Sequence, residues 1–127
     1  MKNGARRGDV FDYIANEYGT VPEYLFKNDD DTAVLRCNLN KKWYGIVINV
    51  KKARLGLKGD GTVDVINLKC EPNFSYMIRG EDGIFPAYHM NKEHWISVLL
   101  DGSLDKEKVF SLIDISKSLV ESKNKKK

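Results

Sequence analysis

The stretch Gly83-Ile84-Phe85-Pro86-Ala87-Tyr88-His89-Met90-Asn91-Lys92-Glu93-His94-Trp95-Ile96-Ser97-Val98-Leu99-Leu100-Asp101-Gly102 decides how the chain is read. Ile84 to Met90 and Trp95 to Asp101 read as two strands joined through Asn91-Lys92-Glu93. Pro86 has no amide N–H to give to a ladder, so it restricts the first of them to a sheet edge, a strand start or a bulge. From Trp95 to Leu100 both alternating phases are mostly apolar. The second strand is therefore expected to be buried on both faces, Trp95 included.

Toward the C-terminus, Asp105 to Ser122 sets Val109, Leu112, Ile113 and Val120 on one helical face, with Ser103 or Asp105 as N-cap. Toward the N-terminus, Pro72 fits the first position of a short helix running to Arg79. Phe74, Met77 and Ile78 are expected on its core side, and Gly80 and Gly83 close it. Before it, the glycine-rich stretch Leu55 to Thr62 turns the chain into a strand from Val63 to Leu68. Thr32 to Asn38 and Trp43 to Lys51 alternate in the strand manner about a hairpin-like Asn40-Lys41-Lys42. Ala33, Leu35 and Cys37 share one phase; Tyr44, Ile46, Ile48 and Val50 share another. Arg6 to Tyr18 spaces Val10, Phe11, Ile14 and Tyr18 as a helix, stopped by Gly19 and Pro22. The order α-β-β-β-α-β-β-α predicts an α+β fold, a two-layer sandwich with helices on one face of an antiparallel sheet.

With 127 residues, of which 42 % are hydrophobic and 31 % charged, the chain suits one domain, placed over residues 1–122, with a lysine-rich tail at 123–127. No apolar run approaches the ~20 residues that span a bilayer, and no apolar segment follows Met1, so a cytoplasmic protein without membrane contact is expected, as a monomer. Cys37 and Cys70 are expected to be free thiols. The net charge of +3, less the four lysines of the terminal KNKKK, leaves the body at −1. Between Thr32 and Gly59, however, seven basic residues (Arg36, Lys41, Lys42, Lys51, Lys52, Arg54, Lys58) occur without one acid. A local positive face is the functional reading of that run, and solvation of strand edges is the bland one.

Catalytic and cofactor chemistry finds little support. The Gly-Asp-Gly turn lacks the Gly-Lys-Ser/Thr ending and the following helix of a phosphate-binding loop. His89 and His94 have no third ligand at metal spacing, and structural hydrogen bonding is the expected role of both. Ser97, His89 and Asp101 form no nucleophile turn. Trp43, Tyr44, Tyr88 and Trp95 either stack on bases or fill the core, and the core reading is the preferred one. No enzyme, metal or cofactor is expected.

The opening segment closely resembles the signature of the MmcQ/YjbR family, a Pro-Ala/Gly-Tyr-His-Met-Asn-Lys-x-His-Trp core followed by a hydrophobic strand ending near Asp-Gly. Leu68-Lys69-Cys70-Glu71-Pro72, Pro22-Glu23-Tyr24-Leu25-Phe26, Lys42-Trp43-Tyr44 and Ser116 to Val120 also resemble family features, so the likeness runs over about residues 6 to 121. It implies a CyaY-like fold, a bacterial protein without enzymatic activity, and a double-wing mode of DNA binding. On that expectation Lys41, Lys42, Lys51, Lys52, Arg54 and Lys58, with Asn91 and Lys92 of the second turn, contact DNA. Pro86, Tyr88, His89, Met90, His94 and Trp95 carry a structural motif. The competing expectation is a non-enzymatic small-molecule or protein-binding module with a pocket near Tyr88 to Trp95.

Overall fold

A computed structural model describes residues 4–125. The chain runs β1 (Gly4–Arg6), α1 (Arg7–Tyr18), β2 (Ala33–Arg36), β3 (Trp43–Lys51), a 3₁₀ turn (Lys52–Leu55), β4 (Thr62–Lys69), α2 (Pro72–Ile78), β5 (Ile84–Pro86), β6 (Trp95–Leu99), β7 (Asp101–Asp105) and α3 (Lys106–Lys125). Five strands form one antiparallel sheet in the order β2-β3-β4-β6-β5, and β1 pairs with β7 in a separate two-stranded ladder. The α+β architecture matches the sequence expectation, with β1 and β7 added to it.

Alternation divides the five-stranded sheet into two unlike faces. One face presents Ala33, Leu35, Val47, Ile66, Leu68, Ile84, Ile96 and Val98 to Val10 and Ile14 of α1, Ile78 of α2, and Val109, Leu112, Ile113 and Val120 of α3, all buried. Strand β6 is buried on both faces as expected from Ile96 to Leu99, since the helix-side core covers Ile96 and Val98 and folded-back chain on the opposite face covers Ser97 and Leu99. Trp95, at its open end, departs from that expectation: the ring is half-buried and carries the Lys69 ammonium 5.7 Å from its centroid. Met77 also departs, being 77 % exposed, because the short helix α2 turns Phe74, Ser75 and Ile78 inward and leaves Met77 on its outer side. Cys37 and Cys70 are free and buried in the helix-side core. Burial pushes the Cys70 thiol up, partly offset by Ser75 and Arg79.

The opposite face is covered by chain rather than by helices. Leu55 and Leu57 fold back over Val50, Val63, Val65 and Leu99, joined by Phe85 and Tyr88. Helix α3 continues through Lys125, so the segment assigned to a tail begins as helix, and Lys126 and Lys127 lie outside the described residues.

Candidate functional site

Strand β5 ends at Pro86, not at Met90, on the outer edge of the sheet where a missing N–H costs no ladder bond. From Ala87 the chain leaves the ladder and crosses the open face, and three polar groups hold it there. The Tyr88 amide donates to Ser97 Oγ at 2.9 Å, the Asn67 side-chain amide donates to the Tyr88 carbonyl at 2.9 Å, and the Ser97 hydroxyl donates to Asn67 Oδ1. Asn67 and Ser97 are paired across β4 and β6 and are both buried. His89 then takes a left-handed conformation, φ 62°, with its ring 4.0 Å from that of Tyr88. This turn, rather than a continued strand, brings Tyr88, His89 and Met90 over the sheet.

A second device shapes the same face. Between Leu35 and Arg36 the β2–β3 register shifts, and Trp43 and Tyr44 together stand against Arg36. Such a bulge inverts the alternation that follows from the sequence. Tyr44 goes to the helix side, where its hydroxyl meets Thr20 Oγ1 at 2.7 Å and its ring lies edge-on to Tyr18, and burial pushes its pKa up to about 12. Trp43 goes to the open side, beside Ile46 and Ile48, with the Arg36 guanidinium 5.9 Å from its ring.

The result is a pair of adjoining cavities. The first, about 450 Å³, is floored by Ile46 and Ile48 and walled by Trp43, Phe26, Tyr88 and Met90, with Lys27 and His89 at its border. The second, about 430 Å³, lies between the folded-back turn after β3 and the Pro86–Lys92 segment, and it carries Arg54 and Lys92. Tyr88 and His89 line both. Of the residues read from the sequence as DNA contacts, Arg54 and Lys92 are thus brought together. Lys52 and Lys58 sit on the same β3–β4 connection as Arg54, and Lys51 is the last residue of β3, where that connection begins. Lys41 and Lys42 do not join them: they stand at the other end of the nine-residue β3, roughly 30 Å away at the usual strand rise. Asn91 spends its Oδ1 on the amides of Glu93 and His94, which makes it first a turn residue. Arg36 is paired with Glu23 at 3.1 Å, whereas Lys51, Lys52, Arg54, Lys58 and Lys92 have no carboxylate partner among the described residues.

The motif side chains play less of a structural part than the sequence suggests. Pro86, His89 and His94 are exposed, and neither imidazole makes a hydrogen bond among the described residues. The His94 carbonyl serves instead, accepting the Cys70 amide at 2.8 Å, and the Lys92 carbonyl accepts Ser75 Oγ at 3.1 Å and Arg79 Nη1 at 3.2 Å. No three His, Cys, Asp or Glu side chains converge to hold a metal ion among the described residues. Sequence reasoning missed Phe26, Lys27 and Asn67 as parts of this site. Asn67 carried a signal, since it is the one uncharged polar residue inside Val63–Leu68.

The family model for YjbR matches residues 16–116. The chain belongs to the YjbR family. It is similar to the uncharacterized protein YyaQ of Bacillus subtilis, 43 % identical over 110 residues that cover 87 % of this chain and 93 % of that protein. Its structure is similar to that of a Pseudomonas syringae protein solved by crystallography, with a TM-score of 0.86 at 42 % identity over 90 % of this chain and 97 % of that one. A Deinococcus radiodurans protein of the DUF419 domain shares the YjbR fold at a TM-score of 0.73 and 23 % identity, over 100 % of this chain and 87 % of its own. No helix among the described residues is long and apolar enough to cross a membrane.

Proposed function

We propose that this YjbR-family protein is a non-enzymatic DNA-binding protein that holds DNA by its phosphates, with the β3–β4 connection and the Pro86–Lys92 segment as its two arms. The observation that carries this reading is the convergence of Arg54 and Lys92 on one cleft, flanked by Lys51, Lys52 and Lys58, none of them neutralised by a carboxylate. Cations without partners contribute little to folding. Placed together on protruding turns, they supply the sequence-independent term of nucleic-acid affinity. No cofactor and no chemical step belong to this reading.

The test is the salt dependence of duplex binding. Five phosphate contacts, from Lys51, Lys52, Arg54, Lys58 and Lys92, give a log–log slope of about −4.5, so a fourfold rise in salt weakens binding about 500-fold. Replacing Lys51, Lys52 and Arg54 by Ala together is expected to flatten the slope to about −1.8 without unfolding the chain. Lys51 and Arg54 are exposed and none of the three contributes to the core. The lysines at the C-terminus are common to both proteins and cancel in the comparison. Equal slopes in the two proteins would refute the assignment.

A further inference from the structure

Phosphate binding requires only the cleft that holds Arg54 and Lys92. It does not account for the neighbouring cavity, which is apolar, aromatic and of a size, about 450 Å³, within the roughly 300–1,000 Å³ of small-ligand sites. Three rings line it, those of Trp43, Phe26 and Tyr88, with the Met90 thioether beside them. Its one acidic residue, Asp29, is already engaged by the Thr32 hydroxyl and the amides of Asp31 and Thr32. The occupant that fits therefore has a planar apolar face. The border with the basic cleft is only the Tyr88–His89 pair, which lines both spaces. A molecule reaching across that border places negative charge beside Arg54 and Lys92.

We propose that the paired cavities bind one unpaired nucleotide, its base among the rings of Trp43, Phe26 and Tyr88 and its phosphate against Arg54 and Lys92. The proposal deepens the DNA-binding reading and rests on it. In a duplex each base is stacked and paired, so no base face is free to enter the aromatic cavity. A single strand offers a base beside every phosphate, and aromatic side chains bind such bases whatever their identity. The nucleotide comes either from a strand or from a free mononucleotide, which present the same chemistry here.

The test measures binding of the full chain to a labelled single-stranded decathymidine, to a duplex of equal length, and to decathymidine in competition with thymidine monophosphate. The single strand is expected to bind more tightly than the duplex. Phe26→Ala and Trp43→Ala are expected to weaken single-strand binding about 5- to 150-fold, the effect of losing one stacking ring, while leaving duplex binding unchanged. The Arg54→Ala, Lys92→Ala double variant is expected to weaken both. Phe26 is 45 % exposed on a loop, so its truncation keeps the fold even where that of Trp43 does not. Competition by the mononucleotide assigns the site to a free nucleotide, and its absence assigns it to a strand. If single strand and duplex bind alike and neither ring variant changes the affinity, the base site is wrong and the phosphate reading stands. If neither DNA binds, both fall.

Discussion

Ser97 is fully buried on β6, and its hydroxyl both receives the Tyr88 amide and donates to Asn67. Removing that hydroxyl leaves the Tyr88 amide and the Asn67 side-chain oxygen without this partner, and a buried polar group so orphaned costs about 1–3 kcal/mol. Ser97→Ala is therefore expected to lower the unfolding free energy by about 2–3 kcal/mol in chemical denaturation. Faster exchange of the Tyr88 amide should accompany it; unchanged exchange would mean that the crossing segment is held by other contacts. Trp95 behaves differently from a core tryptophan, whose truncation costs about 3–5 kcal/mol. With a half-buried ring capped by Lys69, Trp95→Ala is expected to cost about 1–3 kcal/mol. At this scale the sequence was legible where a residue's type forces its surroundings: Pro86 at an edge, Val10 and Ile14 inside. It was not legible at Trp43 and Tyr44, because the bulge that exchanges their faces is a property of the paired backbone and no residue type at that place announces it.

The elements read from periodicity, β3 and α1 above all, fall within a residue of their expected ends, since each combines a long apolar pattern with a clear stop. Strands β1 and β7 escaped because they are short and pair across segments remote in sequence, with no alternation of their own. What marks them is glycine. A Cβ on Gly4 would stand 1.8 Å from the Gly102 carbonyl oxygen, a backbone atom that cannot swing aside. Gly4→Ala is thus expected to separate the two strands and destabilise the protein by about 1–3 kcal/mol or more. Gly8 is the control. It lies inside α1 with nothing near the place of a Cβ, so Gly8→Ala is expected to stabilise by about 0.4–1 kcal/mol by restricting the unfolded chain. Thermal melts of the two variants should move in opposite directions, and a shared direction would contradict the close approach of β1 and β7. The crossing segment after Pro86 escaped for a related reason: Tyr88 and Met90 keep an alternating pattern, while what takes the chain off the ladder is the capture of the Tyr88 backbone by Ser97 and Asn67, followed by the left-handed His89.

Across the whole molecule polar links join the helices to one another and to the sheet: within the core the buried Ser116 of α3 accepts the Lys69 amide of β4 and donates to the Tyr44 carbonyl of β3, and further links stand at the margins. Tyr13 and Tyr18 of α1 both donate to Asp114 of α3; burial first, then that carboxylate, push the Tyr13 pKa up to about 12. At the other margin Arg7, in the first turn of α1, grips Asp64 of β4 through Nε at 3.1 Å and Nη2 at 3.0 Å, and Asn49 adds a bond at 2.9 Å. Burial alone raises the Asp64 carboxyl, but the hydrogen bonds from Arg7 and Asn49, with the charge of Arg7, outweigh it, and the net shift is below the ordinary 3.8. The hydrogen bond with Asp64 likewise raises Arg7, so both partners favour the charged pair. A carboxyl whose folded pKa lies below its unfolded value binds protons less readily in the folded state. Its contribution is therefore complete above the unfolded value and is lost as the pH falls through the folded one. Stability is expected to decline on acidification below about pH 4, and Asp64→Asn, which keeps the shape but not the charge, to lose stability at neutral pH and show a shallower decline. Asp101, held below its ordinary value against its own burial by Ser103, keeps part of the acid dependence in that variant. Urea midpoints of both proteins at pH 7 and pH 3 decide the matter: a gap between them that is as wide at pH 3 as at pH 7 would show that the Arg7–Asp64 pair does not link the layers through its charge.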